Sequence, residues 1–558
     1  MQFVVLTYLF LSQSLLIGQK ENCEFASPVR HKIISSGSFG EPRSAHFHGG
    51  IDIKTYLGAG KDPVLSVGEG FVSRIRLTPD SYGKTLYIDH PCGYTSVYAH
   101  LDAFNPEIDD YIDKVRVATQ QSIVDQKPPP NALRVEKGEL IGFIGNSGTS
   151  FGAHLHFEIR HTESEVPLNP VIFGIAPKDN IPPVIQGLVV YYLDQNRNVI
   201  SQSYHSAQKA KGNSYELAID TISVNWPLIG FGLHVFDMSN GARNHNGIHK
   251  LQYLVNGDKK FSFSIDSVPF DKSIFLHAHM DYGYKKQNRY VHKCYKENNN
   301  SLDIYTYPAH SQLLIPNSLI ADHVKIVGGD IFGNSSTLEF HVIRNADIKN
   351  EISTYPHTPN VLTGDTTILN RNSFKIKFNP ETFLHPEFIR IDSIFNGLHI
   401  STTEKFTPFF KSFELKTELS NLNLPTENHD KLCFITVNGK GEKINIGAQI
   451  KNDTLSVKSN DQGLYQIVED IIPPRVTLIN NDSKTSVALR IKDNFETRGS
   501  QSRMKYSCLL DGQWVPMDYD EKNDLLTVSS KWLKPGQSCE VEVLDFNQNT
   551  TKKTFVVK

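Results

Sequence analysis

The sequence predicts a mostly β protein built from several domains. Its 558 residues correspond to roughly three to four domains of about 150 residues each. In the first third of the chain, short segments rich in Val, Ile, Tyr and Phe alternate with Gly-rich turns, and longer alternating strands follow. Because helical periodicity is rare, we expect antiparallel sheets and β-sandwich modules around several hydrophobic cores.

The composition excludes several classes of protein. Apolar residues make up 39% of the chain and charged residues 21%, which is typical of a folded globular protein. The 57 Lys and Arg nearly balance the 60 Asp and Glu, so no overall positive field favours nucleic acid or an anionic membrane, and we predict no nucleic-acid partner. The six cysteines are too few and too scattered for a disulfide-based scaffold.

The N-terminus has the pattern of an export signal. Residues 3–18 are short, mostly apolar and interrupted by Ser and Gln, and polar residues follow them. This stretch is too short for a transmembrane helix but fits the apolar part of a secretory signal; a buried N-terminal helix is the alternative. We therefore predict a signal peptide at 1–19, cleaved near Gly18 or Gln19, and no transmembrane segment.

One helix is predicted inside the N-terminal β region. Asn105 and Pro106 have the character of an N-cap and a first helical residue. Apolar residues follow at helical spacing: Ile108, Tyr111, Ile112 and Val115. Three prolines at 128–130 end the pattern, so we interpret 105–134 as an insertion between two strands, part helix and part loop.

Two segments after residue 178 begin and end alike. Each begins with an Asp shortly before Ile-Pro-Pro, at 179–183 and at 470–474. Each also contains an Asp and an Asn four residues apart before its last strand, at 330–334 and 545–549. Such recurrence around alternating strands predicts repeated Ig-like β-sandwich modules. The predicted domains cover 20–178, 179–346 (two sandwiches or one decorated sandwich), 347–469 and 470–558.

Three short motifs in the N-terminal region carry residues that bind metals. They are His48-Gly49-Gly50-Ile51-Asp52, Tyr98-Ala99-His100-Leu101 and His154-Leu155-His156-Phe157-Glu158. In a strand, His154 and His156 point to one face and the apolar residues between and after them point to the other. In an extended chain His48 and Asp52 also share a face. We expect a metal-binding surface with an apolar support behind it.

A pair of histidines two residues apart is weak evidence for a metal site when it stands alone. His277 and His279 have the same spacing but no companion motif, and we interpret them as structural. Residues 145–150 are rich in Gly, Ser and Thr but lack the Lys of a phosphate-binding loop, so we interpret them as a tight turn leading to His154.

Four motifs in order resemble the lysostaphin- and LytM-like zinc metalloendopeptidases over residues 35–175. They are Phe39-Gly40 with Arg43, HGGID at 48–52, HPCGYTSVYAHL at 90–101 and KGELIGFIGNSGTSFGAHLHFEIR at 137–160. The resemblance implies a LytM-type antiparallel β peptidase domain. It implies that one Zn²⁺ is bound by His48, Asp52 and His156, and that His100 and His154 are catalytic.

This ligand set leaves a coordination position for water, whose pKa zinc brings to about 7. The sequence has no H-E-x-x-H motif and so no glutamate base of that kind; His100 and His154 can each act as base, acid or oxyanion partner, and the sequence leaves open which takes the proton first. Glu158 shares the predicted face of His156, and we expect it to orient that ligand or to have a structural role.

The resemblance implies an exported zinc metalloendopeptidase that hydrolyses amide bonds in peptidoglycan stem or cross-bridge peptides. It would act in the periplasm, at the surface or outside a bacterium, and its β modules would bind cell wall or another protein. Two alternatives are a catalytically silent LytM-like protein that binds peptidoglycan or activates an amidase, and an adhesin-like surface protein. Silent members usually lose zinc ligands, whereas all five positions are intact here.

Other residues of the motifs and modules receive structural interpretations. We interpret His90 as structural and Cys92 as a turn residue rather than a ligand. Arg43 is expected to pair within the fold, with a substrate carboxylate as the alternative. Cys508 and Cys539 share one predicted sandwich and could pair in an oxidising compartment.

Overall fold

The computed structural model describes residues 23–306, 312–347, 358–402, 407–422, 428–497 and 503–558. The protein is mostly β, with 47% strand and 8% helix, which confirms the predicted fold class. No helix within these ranges is long and apolar enough to cross a membrane. The predicted signal peptide at 1–19 and its cleavage site near Gly18 or Gln19 lie outside the described residues.

The N-terminal region folds into one sheet of eleven antiparallel strands. They are β1 Ser35–Gly37, β2 Ile51–Lys54, β3 Pro63–Leu65, β4 Gly70–Leu77, β5 Lys84–Asp89, β6 Tyr94–Phe104, β7 Val124–Gln126, β8 Arg134–Val135, β9 Leu140–Ile144, β10 His154–His161 and β11 Pro167–Leu168. The main path runs β1-β2-β10-β6-β5-β4-β7, while β9 joins β3 to β6. Strand β10 therefore lies between β2 and β6, which brings the three histidine motifs together.

The alternation of β10 builds the apolar support behind the motifs. Leu155 and Phe157 are fully buried, and the Phe157 ring lies 5.4 Å from the ring of Tyr98 on β6. Burying each large apolar side chain stabilises the fold by about 1.5–3 kcal/mol. The strand that carries His154 and His156 is thus fixed from its opposite face.

The predicted helix α1 spans Pro106–Thr119. The Asn105 side chain accepts a hydrogen bond from the Ile108 N–H at 2.9 Å, the expected N-cap contact. The prediction of helix and loop missed two short strands, because β7 and β8 lie in the insertion and pair with β4. Two- and three-residue strands have too short a pattern to be recognised in sequence.

Residues 179–346 form a second sheet of ten strands. They are β12 Val184–Leu193, β13 Val199–Lys209, β14 Ser214–Leu217, β15 Thr221–Val224, β16 Ile229–Phe236, β17 Lys250–Val255, β18 Asp258–Ser264, β19 Val291–Lys293, β20 Asp322–Gly329 and β21 Ser335–Arg344. The path is β18-β17-β20-β21-β14-β13-β12-β16-β19, and β15 pairs with β21. All ten strands thus belong to one hydrogen-bonded network. Two short helices, α2 Leu276–His279 and α3 Tyr282–Lys285, lie between β18 and β19 in sequence.

The rest of the chain forms two further β modules, each with two sheets. The first contains β22 Thr367–Arg371, β23 Phe374–Phe378, β24 Ile389–Ile394, β25 Gly397–Thr402, β26 Phe413–Glu418, β27 Leu432–Val437, β28 Lys443–Gly447, β29 Gln449–Lys451, β30 Thr454–Ser459 and β31 Gly463–Glu469. The second contains β32 Arg475–Asp482, β33 Ser486–Lys492, β34 Glu496–Thr497, β35 Lys505–Leu510, β36 Gln513–Val515, β37 Asp518–Asp520, β38 Leu525–Ser529, β39 Ser538–Leu544 and β40 Thr550–Val556. Strand β34 joins the sheet of the first module by pairing with β28.

The hydrophobic core of the N-terminal sheet continues into the second region, whereas each of the last two modules has a core of its own. Short 3-10 helices lie at Pro170–Phe173, Phe270–Phe275, Leu419–Asn421, His429–Lys431 and Ser530–Trp532. The first two regions are therefore expected to unfold together, and the last two modules are joined to them by smaller contacts.

The C-terminal module also contacts the N-terminal domain directly. Asp518 accepts a hydrogen bond from Arg116 of α1 at 2.8 Å and lies 3.1 Å from the Lys84 ammonium. Arg503 pairs with Asp80 at 2.5 Å. Lys522 donates to the Ser150 carbonyl at 3.1 Å, in the loop that leads to His154. Two ends of the chain that are far apart in sequence thus meet next to the histidine motifs.

The cysteines differ from the sequence interpretation in two ways. Cys92 lies in a turn as expected, but it also forms a disulfide with Cys23, 69 residues earlier. Cys508 and Cys539 are free thiols with their sulfurs 3.6 Å apart, so the pairing considered for them is not formed. Their positions on adjacent strands are diagonal, since Cys508 is opposite Val541.

We expect loss of the Cys23–Cys92 disulfide to lower the stability of the N-terminal domain. A bridge that closes a loop of this length restricts the unfolded chain by about 4 kcal/mol, and measured losses are about 2–5 kcal/mol. Thermal unfolding with and without a thiol reductant measures the effect. The Cys23→Ser, Cys92→Ser double variant is the control, because its unfolding midpoint should not respond to reductant. An unchanged midpoint in fully reduced wild-type protein would contradict the prediction.

Candidate metal centre

The strand register brings the three predicted ligands together. His156 on β10 is directly opposite Asp52 on β2 and opposite Ala99 on β6, one residue before His100. His48 precedes β2 and reaches the same place through a Gly-Gly turn. A Cβ at Gly50 would lie 2.3 Å from the Phe157 carbonyl oxygen, so only glycine allows the chain to approach β10 this closely.

Three ligand atoms from His48, Asp52 and His156 form a small triangle. His48 Nε2 lies 2.9 Å from His156 Nδ1 and 3.0 Å from Asp52 Oδ1, and His156 Nδ1 lies 3.0 Å from the same oxygen. All three side chains are buried. Atoms at these separations can all lie about 2.0–2.2 Å from one ion, the bond lengths that zinc takes with nitrogen and oxygen. The residues therefore fit a single metal ion.

The two imidazoles are each held by a hydrogen-bond acceptor on the ring nitrogen that points away from the triangle. His48 Nδ1 lies 2.8 Å from the Ser38 carbonyl oxygen, and His156 Nε2 lies 2.7 Å from Glu158 Oε1. Since these oxygens can only accept, the facing nitrogens carry the protons. The nitrogens in the triangle are then unprotonated in the neutral rings, as a metal ligand requires.

Arg43 plays the corresponding role for Asp52. Its Nη2 donates to Asp52 Oδ2 at 2.6 Å, which leaves Oδ1 for the triangle. A Cβ at Gly37 would lie 2.3 Å from Arg43 Nη2 and 2.7 Å from Asp52 Oδ2, so this contact needs a glycine beside it. The expectation that Arg43 pairs within the fold agrees with this contact.

The charges of the site favour a bound cation. Burial would raise the pKa of Asp52, but the neighbouring His48 and the close contacts with the rings of His154 and His156 lower it well below its usual range. Burial lowers the pKa of His48 to about 4, so this ring is neutral at pH 7. Burial would also lower the pKa of His156, but Asp52 and Glu158 raise it to about 9. The same carboxylates that attract a proton to His156 would attract a metal ion.

Behind His156 lies a fully buried carboxylate network that sequence reasoning found only in part. Glu158 accepts hydrogen bonds from Arg160 Nε at 2.6 Å and from the Tyr82 hydroxyl at 2.5 Å. Burial alone would raise the pKa of Glu158, but the Arg160 charge and His156 lower it to about 2. The Tyr82 ring also stacks on His156, with centroids 5.0 Å apart. Glu158 is therefore ionised, and it fixes the orientation of the ligand.

The two predicted catalytic histidines lie beside the triangle. His100 Nδ1 donates to the Ser147 carbonyl at 2.8 Å, and His154 Nδ1 donates to the Gly152 carbonyl at 2.8 Å. Their Nε2 atoms are thereby unprotonated in the neutral rings, and His154 Nε2 lies 3.5 Å from Asp52 Oδ1. The two ring centroids are 4.8 Å apart. The residues can therefore act on one small group bound between them.

His100 has a backbone conformation that few non-glycine residues adopt. Its φ is +60°, in the left-handed region, and its N–H donates to the Tyr82 carbonyl at 2.9 Å. Such conformations cost about 1–3 kcal/mol and are retained where the surroundings enforce them. Burial and the neighbouring histidines lower the pKa of His100 to about 3, so the ring is neutral at pH 7. The fold thus directs a neutral imidazole at the triangle.

Other histidines of the sequence analysis lie elsewhere. His90 is hydrogen-bonded to the Glu69 carbonyl and the Ser96 hydroxyl, each at 2.7 Å, which agrees with a structural role. His277 and His279 are buried in helix α2, and His279 lies 3.1 Å from His292. Neither belongs to a group of three potential ligands among the residues that the structure describes.

Comparisons with known proteins match the N-terminal domain. Residues 46–123 match the family model described as Peptidase family M23, a family of metallopeptidases. The chain is 31% identical over 124 residues to the DD-carboxypeptidase/endopeptidase Mpg of Neisseria meningitidis, covering 22% of each chain. It is 27% identical over 153 residues to the cell division protein DipM of Caulobacter vibrioides, covering 27% of this chain and 20% of that one. The alignments thus span about a fifth of the length of these relatives.

Solved structures include similar domains. The catalytic domain of lysostaphin from Staphylococcus simulans is 20% identical, with 25% of this chain and 91% of that chain covered and a TM-score of 0.19. The family match and the curated relatives confirm that the N-terminal domain resembles the LytM-like M23 peptidases.

Proposed function

We propose that this chain is an exported zinc metalloendopeptidase that hydrolyses amide bonds in peptidoglycan stem or cross-bridge peptides through a metal-activated water. The observation that carries the proposal is the triangle of His48, Asp52 and His156, with His100 and His154 beside it. Two imidazoles and one carboxylate are a ligand set of catalytic zinc, because they leave a coordination position for water. Bound there, Zn²⁺ would lower the pKa of a water to about 7 and polarise a peptide carbonyl.

The chain's own residues supply the proton transfers and the orientation. The Nε2 atoms of His100 and His154 can accept a proton from the attacking water and later return it to the leaving amine. Either protonated ring can also donate a hydrogen bond to the oxyanion. Arg43 and Glu158 hold the ligands in place while this happens, so the reaction needs little rearrangement of the protein.

The surroundings of the site favour an extended peptide. Because Lys54 is opposite His154, the chain after β2 and the loop before β10 border the same end of the two strands. Both carry exposed apolar side chains, Tyr56 on one and Phe151 on the other. Exposed apolar groups next to a polar centre are typical of a binding groove. A peptide lying along these strands would pass between them.

The substrate class rests on the relatives. Their names describe a DD-carboxypeptidase/endopeptidase and a cell division protein, which supports cell-wall peptide as the substrate. The Cys23–Cys92 disulfide supports export, since disulfides persist in oxidising compartments. In this proposal the β modules bind cell wall or another protein and thereby position the peptidase domain.

Purified full-length protein incubated with peptidoglycan sacculi tests the function. We expect new free amino groups to be released in proportion to bound zinc, and mass spectrometry of the soluble fragments to identify the cleaved bond. Removing zinc with a chelator should stop the release, and adding back one equivalent should restore it. A protein that holds zinc and binds sacculi but cleaves no peptidoglycan type would instead be a binding protein.

A further inference from the structure

Two further groups of three carboxylates lie in the β modules, far from the candidate metal centre in sequence. We call them the first Asp triad, Asp179, Asp237 and Asp330, and the second Asp triad, Asp470, Asp493 and Asp545. In each triad one oxygen per residue lies within 4.8 Å of the others. Four of the six residues are buried, and the other two are half-buried. Like charges this close are unfavourable unless something compensates them.

Both triads are built from the same three pieces of the fold. The first Asp precedes the Ile-Pro-Pro segment, the second directly follows a strand that ends at Phe236 or Lys492, and the third directly follows a strand that ends at Gly329 or Leu544. Two modules with different sequences thus place three carboxylates in the same arrangement. The recurrence indicates a site that belongs to the module rather than an accidental contact.

The turn that holds the third Asp does not itself require a triad. In the first triad Asp330 accepts hydrogen bonds from the backbone and side chain of Asn334, at 2.8 and 2.6 Å. Asp194 makes the same two contacts with Asn198, at 2.8 and 2.9 Å, yet Asp194 belongs to no group of three potential ligands among the described residues. The turn therefore does not explain why two further Asp residues lie beside Asp330.

Buried oxygens without hydrogen-bond partners point into the first triad. Asp237 is 5% exposed and its Oδ1 has no partner. Asn246 is 3% exposed and its Oδ1 also has none. Both residues line a cavity of about 40 Å³ together with Asp179 and Asp330. Buried polar atoms are costly to leave unpaired, so we expect this cavity to hold a ligand that contacts oxygens of all four residues.

The second triad has the same property. Asp470 is fully buried and its Oδ2 has no hydrogen-bond partner, and neither oxygen of Asp493 has one. Lys431, whose charge acts on Asp470, donates its hydrogen bonds to the Asn547 carbonyl and to the side chain of Asn549. No ion pair to any of the six carboxylates is found in the part of the chain that the structure describes. No carboxylate of either triad therefore forms a direct ion pair with a described cationic side chain.

The central members of the triads, Asp237 and Asp493, have raised pKa values. Burial and the neighbouring Asp330 and Asp179 raise the pKa of Asp237 to about 8. Burial and Asp470 raise the pKa of Asp493 to about 7. A divalent cation would allow all three carboxylates of a triad to be ionised at neutral pH.

We propose that each Asp triad binds one Ca²⁺. The ligands are all oxygens, which a hard cation such as Ca²⁺ prefers and zinc does not; the first triad adds the amide oxygen of Asn246 to its three carboxylates. This assignment does not depend on the zinc centre or on the peptidase function.

The location of the triads gives the ions a structural role. Asp179 lies where the N-terminal domain meets the second region, and the cavity of the first triad also contacts Phe39 and Asn169 of that domain. Asp470 lies where the last two modules meet, and its carbonyl accepts a hydrogen bond from Asn549 Nδ2 at 2.9 Å. In both triads the first Asp comes from the connecting segment and the other two from the following module. A bound ion would therefore fix the angle between neighbouring units.

Calorimetric titration of the full-length protein with CaCl₂, after passage over a calcium-selective chelating resin, tests the proposal. We expect two bound Ca²⁺ per chain and an unfolding midpoint that rises by several degrees with Ca²⁺. Asp237→Asn and Asp493→Asn should each remove one bound ion or weaken it at least tenfold, and the double variant should remove both. Asp194→Asn is the matched control and should still bind two. Zinc content should be unchanged in all of them.

Native mass spectrometry of the wild-type protein gives a count that does not depend on any variant folding correctly. Two Ca²⁺ adducts that resist a low concentration of a competing chelator support the proposal. Wild-type protein that binds no Ca²⁺ at millimolar concentration, or a folded double variant that still binds two, overturns it. The first of these outcomes would mean that shared protons neutralise the triads instead.

Discussion

Replacing Asp52 by Ala is expected to remove the metal ion and with it the hydrolysis of peptidoglycan peptides. Asp52 Oδ1 is the point of the triangle that contacts both His48 and His156, so its loss removes the only negative ligand and leaves two neutral nitrogens. Loss of a residue that hydrogen-bonds to a metal ligand typically lowers metal affinity by about 10–100-fold, and loss of the ligand itself should lower it further. We expect bound zinc to fall below a tenth of an equivalent and the rate to fall by at least about 1000-fold.

A graded series separates the ligand role from the structural role of this carboxylate. Asp52→Asn keeps the size and can still accept the hydrogen bond from Arg43, so it should fold normally and bind zinc with intermediate affinity. His161→Ala is the matched control, because His161 is exposed at the far end of the same strand β10. Elemental analysis of purified protein and the release of amino groups from sacculi are the two measurements. Full zinc occupancy in Asp52→Ala would contradict the ligand assignment.

The parts of the site that follow from strand geometry could be predicted from the sequence. A period of two places His154 and His156 on one face, and the apolar residues between and after them identify the other face as a core. The structure has this arrangement, with Leu155 and Phe157 fully buried. The interpretation depended on alternation within a few residues, which does not require knowledge of the neighbouring strands.

The residues that orient the ligands could not be predicted in the same way. Tyr82 precedes β5 and contacts Glu158 across 76 residues, and no local pattern marks it as part of the site. Glu158 was recognised from its position on the face of His156, but its partner Arg160 carries no signal beyond sharing that strand. The bond between Cys23 and Cys92 was missed for the same reason, since spacing alone does not indicate which distant side chains meet.

The Asp triads show an intermediate case. Their first and last members lie in the repeated motifs at 179–183 and 330–334 and at the corresponding later positions, which the sequence displays. Their central members, Asp237 and Asp493, are flanked by unrelated residues and become comparable only when the strands that precede them are aligned in space. The repeated turns in the sequence therefore reveal two of the three shared Asp positions, and the third becomes visible only in the structure.

Replacing the two histidines beside the triangle is expected to abolish hydrolysis while zinc stays bound. His154→Ala and His100→Asn remove the Nε2 atoms that face the site but leave His48, Asp52 and His156 with their partners intact. Asn is chosen at His100 because the backbone there is left-handed, a conformation that Asn tolerates better than Ala. General acid–base groups contribute about 10²- to 10⁴-fold, so each variant should lose activity by this factor.

The comparison between the two variants distinguishes catalysis from metal binding. If both variants keep one equivalent of zinc and lose hydrolysis, both imidazoles take part in the reaction at the metal. The structure predicts this result, because the hydrogen bonds of Nδ1 to the Ser147 and Gly152 carbonyls leave each Nε2 free to accept a proton. The double variant should then lose little more activity than the less active of the two single variants, because the effects of groups that act on one reacting water do not add. Wild-type rates in either variant would show that this histidine takes no part in proton transfer. Loss of zinc would make it a ligand instead.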